Sequence, residues 1–157
     1  MTRASLTLAD LPAARRALEE LQGQGSGNAN PMAGPVSLHQ ALHHSAQSLE
    51  YGLAGFPQMK PAWFRASIGP LAARVFLARG RLKHGLDAPI PGAPEIPRDG
   101  DMPTAFIRLY AAIDAFEQAV RSNAVLKPHF AYGDVAPADY ARLQAHHIAE
   151  HLDALQR

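Results

Sequence analysis

At 157 residues the chain is the length of one domain around a single hydrophobic core. Its 15 Lys and Arg nearly balance 14 Asp and Glu and are scattered over several segments, and aromatics make up only 7%, so both the basic stripe and the stacking platforms of a nucleic-acid binder are missing. Without cysteine there is no disulfide, no thiolate catalysis, no iron–sulfur cluster and no sulfur-ligated zinc. No apolar run approaches the roughly 18 residues that span a bilayer, and the N-terminus lacks the apolar centre of a secretory signal. The expectation is a cytoplasmic protein that binds neither membrane nor nucleic acid. An amphipathic targeting peptide over residues 1–21, with Arg3, Arg15 and Arg16, is opposed by Asp10, Glu19 and Glu20.

Wherever the periodicity is readable it is helical. Asp10 is placed to N-cap a first helix with Pro12 in its first turn and Leu11, Ala14, Leu18 and Leu21 on one side, ending at Gly23. Four glycines, two asparagines and two prolines make residues 23–35 a loop. Ser37 caps a second helix, in which Leu38, Leu42, Ser45, Leu49 and Leu53 recur at helical spacing until Gly55 and Pro57 stop it. A third helical region covers residues 62–83, and Gly69-Pro70 predicts a break with the main piece starting at Pro70. Residues 87–103 are crowded with prolines and read as a long ordered loop. A helix over 104–122 carries Phe106, Leu109, Ile113, Phe116 and Val120 as its buried stripe, residues 127–136 form another loop, and Pro137 opens a last helix reaching Leu155. No stretch alternates with period two. The fold class is therefore all-α, a single-domain bundle with long loops and a crossover connection.

The chemistry rests on histidine. At about 100° per residue, Tyr140, Leu143, Gln144, His147, Ile148, His151 and Leu155 share an arc of roughly 140°, while His146 and Asp153 point away. His147 and His151 therefore face the core one turn apart. Burying two imidazoles side by side demands partners, which either hydrogen bonds or a shared cation supplies. The second helix offers His39, His43 and His44 for a third ligand. His44 lies on a small, polar flank with Ser37, Ala41, Ser48 and Tyr51, the kind of wall that leaves room beside a metal, but the helical wheel permits His44 without compelling it.

Three stretches, SLHQALHHSAQSLEYGLAGFP (37–57), IGPLAARVFLARGRLKHGLDAPIPGAP (68–94) and PHFAYGDVAPADYARLQAHHIAEHL (128–152), together resemble an uncharacterised branch of the DinB/YfiT-like superfamily. The resemblance covers most of the chain after Ser37. It implies a four-helix bundle, commonly dimeric, in which a histidine early in the second helix and an HxxxH pair in the last helix hold a divalent metal. By position these are His44, His147 and His151. The superfamily includes metal-dependent hydrolases and thiol-dependent transferases, so the resemblance implies a small-molecule substrate and a homodimer, and leaves open whether this branch is an enzyme.

A three-histidine site keeps open coordination positions, and zinc or nickel suits neutral imidazoles, with manganese or iron as further candidates. Ser48, Tyr51 and His129 are candidates for the pocket; His129 sits in a PHFAYG loop placed to fold over the mouth of the bundle. The segment HIAEH also satisfies the inverted zinc-peptidase pattern HxxEH, with Glu150 as base, but it lacks a further downstream ligand, and Glu150 reads instead as a solvated carboxylate. His84 follows the basic run Arg79, Arg81 and Lys83 and is explained by a helix C-terminus without any ligand role. The competing reading is a non-catalytic bundle that binds a small molecule or dimerises, its histidines satisfied by hydrogen bonds.

Overall fold

A computed structural model describes residues 6–26 and 30–155, so part of the 1–21 targeting-peptide expectation lies outside the described residues. Helix α1 spans Leu11–Leu21, with the Asp10 carboxylate accepting the Ala13 N–H at 2.8 Å. Gly23 does not end the winding: a π turn over Gln22–Ser26 extends it. The following segment was expected to hold no strand, yet β1 (Met32–Ala33) and β2 (Val36–Ser37) pair antiparallel across a turn in which Gly34 has φ +58°. Two residues are too few to imprint an alternating pattern on a sequence, and a left-handed glycine makes the turn accessible.

Ser37 closes β2 and opens α2 (Leu38–Ala54) with a reciprocal capping box: its hydroxyl accepts the Gln40 N–H, and the Gln40 side chain accepts the Ser37 N–H, both at 3.1 Å. Gly55, at φ +108°, stops the helix. The third helical region breaks one or two residues before the expected Gly69-Pro70: α3 is Ala62–Ala66 and α4 is Ile68–Arg79, parted at Ser67. Pro70 falls in the first turn of α4, where its missing N–H leaves no helical bond unmade. Helix α5 (Met102–Arg121) starts two residues early because Asp101, not a later residue, caps it by accepting the Thr104 N–H at 2.9 Å. Helix α6 runs Pro137–Leu155.

The architecture is predominantly helical. Helices α2, α5 and α6 pack on one another, α1 lies across α5 and α6, and α4 leans on α6. Their shared core includes Leu18, Leu42, Leu49, Phe106, Ile113, Phe116 and Ile148, none more than 1% exposed. Truncating Phe106 or Phe116 in such a core costs roughly 3–5 kcal/mol. Glu50, on the solvent side of α2, is clasped through both carboxylate oxygens by Arg108 of α5 at 2.9 and 2.7 Å, which directs it away from the interior. Among the described residues no helix is long and apolar enough to cross a membrane.

Two irregular segments are fastened to this frame. The 80–101 segment gives up its backbone carbonyls to one face of α2: Gln47 donates to Pro94 O, Gln40 to Ile96 O, His39 Nδ1–H to Pro97 O and the Ser37 hydroxyl to Arg98 O, at 2.6 to 3.2 Å. The 129–133 turn docks on α4 at Gly69, where a Cβ would stand 1.9 Å from the Ala131 carbonyl oxygen. No flexible side chain can yield there, because the neighbour is backbone. Gly69→Ala is therefore expected to lower stability by roughly 1–3 kcal/mol and to loosen the 129–133 turn; denaturant unfolding and amide exchange at Ala131 check this, and unchanged protection would contradict the close docking.

Candidate metal centre

Four imidazoles meet between α2, α6 and the 80–101 segment. His44 comes from α2, His147 and His151 from successive turns of α6, and His84 from the irregular chain after α4, with one ring nitrogen of each lying within 4.8 Å of all the others. His147 Nε2 stands 3.1 Å from His44 Nε2 and 3.2 Å from His151 Nε2. A ring nitrogen carries either one proton or one lone pair, so His147 Nε2 can make these two contacts only as a shared three-centre bond. His84 Nε2 is buried with no hydrogen-bond partner among the described residues. Hydrogen bonding alone leaves this cluster short, and a buried polar atom without a partner costs about 1–3 kcal/mol.

His84 is held in a defined tautomer by Glu150. One carboxylate oxygen accepts the His84 backbone N–H at 2.8 Å and the other accepts Nδ1–H, so in the neutral ring the lone pair sits on Nε2, the nitrogen left without a partner among the described residues. This corrects two expectations. Glu150 is not a solvated carboxylate, and His84 is not explained by its basic neighbours. The helical wheel puts Glu150 off the inward arc because that arc was drawn toward the helical core; the 81–86 chain covers the adjacent face and makes a second interior. For the same reason His146, expected to point away, is only 3% exposed, with its Nδ1 buried and unpaired. An HxxEH segment near a lone upstream histidine was the available signal, but nothing in the sequence says which loop crosses α6.

Burial keeps the rings of His44, His147 and His151 neutral. It pushes the His44 pKa down to about 4, with the neighbouring His84 adding to the effect, and drives His147 and His151 well below 6.5, helped by the other imidazoles. Neutral nitrogens are what a metal requires of histidine.

The cluster opens on a cavity of about 340 Å³. His44, His84 and His147 line it together with the apolar Leu82, Ile90, Phe130 and Leu143. Ser48 and His129 line it, whereas Tyr51 does not, its ring resting on Phe56 with centroids 5.6 Å apart. Ser48 is already engaged: its hydroxyl donates to Gln144 Oε1 at 2.9 Å, and the Gln144 amide donates back to the Ser48 carbonyl at 3.2 Å.

A family model described as a protein of unknown function, DUF1569, matches residues 1–157. The chain belongs to that family. Comparison with curated proteins and with solved structures gives no match.

The depressed pKa values have a thermodynamic consequence. The unfolded chain takes up protons near pH 6.5, the folded metal-free protein only well below it, so the contribution of these rings is intact above about pH 6.5 and is lost as pH falls toward about 4. Thermal melts of chelator-treated protein should show a midpoint that falls through this window, and less steeply in a His44→Gln variant. A flat midpoint between pH 6.5 and 4 would mean that the rings are not buried as described.

Proposed function

We propose that this chain is a divalent-metal-binding protein of the DinB-like kind, its packed helices forming that superfamily's four-helix bundle, and that His44, His84, His147 and His151 hold the ion beside a cavity for a small molecule. The observation that carries the reading is the convergence of four imidazole nitrogens that hydrogen bonds cannot satisfy among themselves. Separations of 3.1 and 3.2 Å are close to the ~3.3 Å between neighbouring ligands of a tetrahedral zinc with bonds of about 2.0–2.1 Å. The carboxylate behind His84 Nδ1 is the usual support of a ligating histidine, fixing its orientation and raising its basicity. An all-nitrogen donor set favours zinc or nickel, with iron next, over manganese, which prefers oxygen ligands.

A bound ion supplies Lewis acidity to a molecule in the cavity, which suits hydrolysis or transfer to an external thiol. The chain's own residues do the rest: α2 and α6 fix three nitrogens on rigid scaffolding, Glu150 orients the fourth, and Leu82, Ile90 and Leu143 give the cavity apolar walls. A second reading is favoured by the fourth histidine itself. Four protein ligands complete a tetrahedron, as in structural zinc sites, and such an ion would tie the 80–101 segment to the bundle without catalysis.

Metal analysis and zinc titration of the purified protein test the common element of both readings. The wild type is expected to take up one ion per chain and the His147→Ala/His151→Ala variant none, while Glu150→Gln weakens zinc about 10–100-fold through loss of the orienting carboxylate. Equal metal content in wild type and double variant would end the proposal.

A further inference from the structure

His129 has no part in the histidine cluster, yet its geometry is specific. Its Nδ1 accepts two backbone N–H groups of its own turn, from Ala131 at 3.1 Å and Tyr132 at 3.2 Å. A nitrogen that accepts twice carries no proton, so in the neutral ring the proton is on Nε2. The ring is clamped face to face on Tyr132, 4.2 Å between centroids and 11° from parallel, and packs edge-on against Phe56. It is 8% exposed, and its Nε2–H makes no hydrogen bond to any described residue. The turn that creates this arrangement is pinned by the reciprocal His129–Gly133 bridge and by the close approach of Ala131 to Gly69. Burial also pushes the His129 pKa down to about 3, so the ring stays a neutral donor over the physiological range.

The other polar side chains on the cavity wall narrow the choice of occupant. Ser48 and Gln144 satisfy each other, and the Tyr140 hydroxyl is turned toward α2, where a Cβ on Gly52 would stand 3.1 Å from it. Outside the histidine cluster, what remains is the His129 Nε2–H, the Tyr132 hydroxyl and Lys60, whose ammonium lies 5.1 Å over the Phe64 ring. All three can donate and one is cationic. The complementary group is an anionic acceptor, and the walls of Leu82, Ile90, Phe130 and Leu143 demand an apolar remainder. About 340 Å³ is at the small end of the roughly 300–1,000 Å³ of ligand sites.

We propose that the cavity binds a small carboxylic acid with an apolar body, and that His129 is its specificity-determining residue, donating Nε2–H to the carboxylate. This rests on the reading that the cavity beside the histidine cluster takes a small molecule, and adds the chemical class of that molecule. The donor is preset by the turn and needs no reorganisation on binding, so discrimination falls between carboxylates and the corresponding alcohols, not between chain lengths that the apolar walls tolerate alike.

The test uses the full chain, both zinc-loaded and chelator-treated, titrated calorimetrically with sodium hexanoate and with hexanol. His129→Asn is the informative substitution, because the Asn oxygen can take over the acceptor role of Nδ1 toward Ala131 and Tyr132 while the donor at the Nε2 position disappears. Hexanoate is expected to bind the wild type at least tenfold more tightly than hexanol, and His129→Asn to weaken hexanoate about tenfold with thermal midpoint and zinc stoichiometry unchanged. Ala88→Trp, which fills the cavity from an exposed wall position, is expected to abolish binding without touching His129. Equal hexanoate affinity in wild type and a folded His129→Asn, hexanol binding as tight as hexanoate, or no hexanoate binding to the wild type overturns the inference. Failure of zinc to bind would strike only the metal reading, since the hexanoate comparison on chelator-treated protein still decides this one.

Discussion

Four imidazoles turned toward one point are a liability for a folded chain unless something joins them, and much of this structure is arranged around that point. Burial holds the pKa of His44, His147 and His151 down, so these three cannot relieve their neighbours by taking up a proton at ordinary pH. His147 Nε2 is shared between two rings and His84 Nε2 faces none that bonds it. Glu150 then removes the remaining freedom, since its carboxylate engages both the ring and the backbone of His84. Four imidazole nitrogens this close together could hold a metal ion.

The segment that delivers His84 also builds the wall of the cavity. Residues 80–101 contain no regular structure, and their order comes from α2, whose Ser37, His39, Gln40 and Gln47 bond the segment's carbonyls in succession. That row explains why the polar Ser37, His39 and Gln47 are buried. It also gives His39 a role as a clamp on Pro97, separate from the cluster that His44 joins five residues along. One helix thus presents two faces: one bonds a loop, the other supplies a ring to the cluster.

The helices, their caps and their order were legible in the sequence, because Asp10, Ser37 and the apolar stripes are local signals that act within a few residues. The inward direction of His147 and His151 was legible for the same reason. His84, Glu150 and His146 were not. Each owes its environment to a segment that crosses α6 from far along the chain, and a wheel drawn on α6 alone counts as surface any face that a loop later covers. The break at Ser67 was displaced from Gly69-Pro70 because proline is harmless in the first turn of a helix, so the dipeptide marked the beginning of α4 and not an interruption of it. Gly69 itself serves a different purpose, letting a carbonyl from another segment approach.

The Glu150 bond to His84 has a further meaning in the language of effective concentration. His147 and His151 are presented by one helix and His44 by another, so these three nitrogens are gathered as soon as the helices pack. His84 lies on a stretch without regular structure, and bringing such a stretch to the same point carries a loop-closure entropy. By bonding the His84 backbone N–H and its ring at once, Glu150 offsets part of that cost and raises the effective concentration of the fourth nitrogen beside the other three. A single carboxylate, placed one residue before His151, thereby sets how completely the cluster closes.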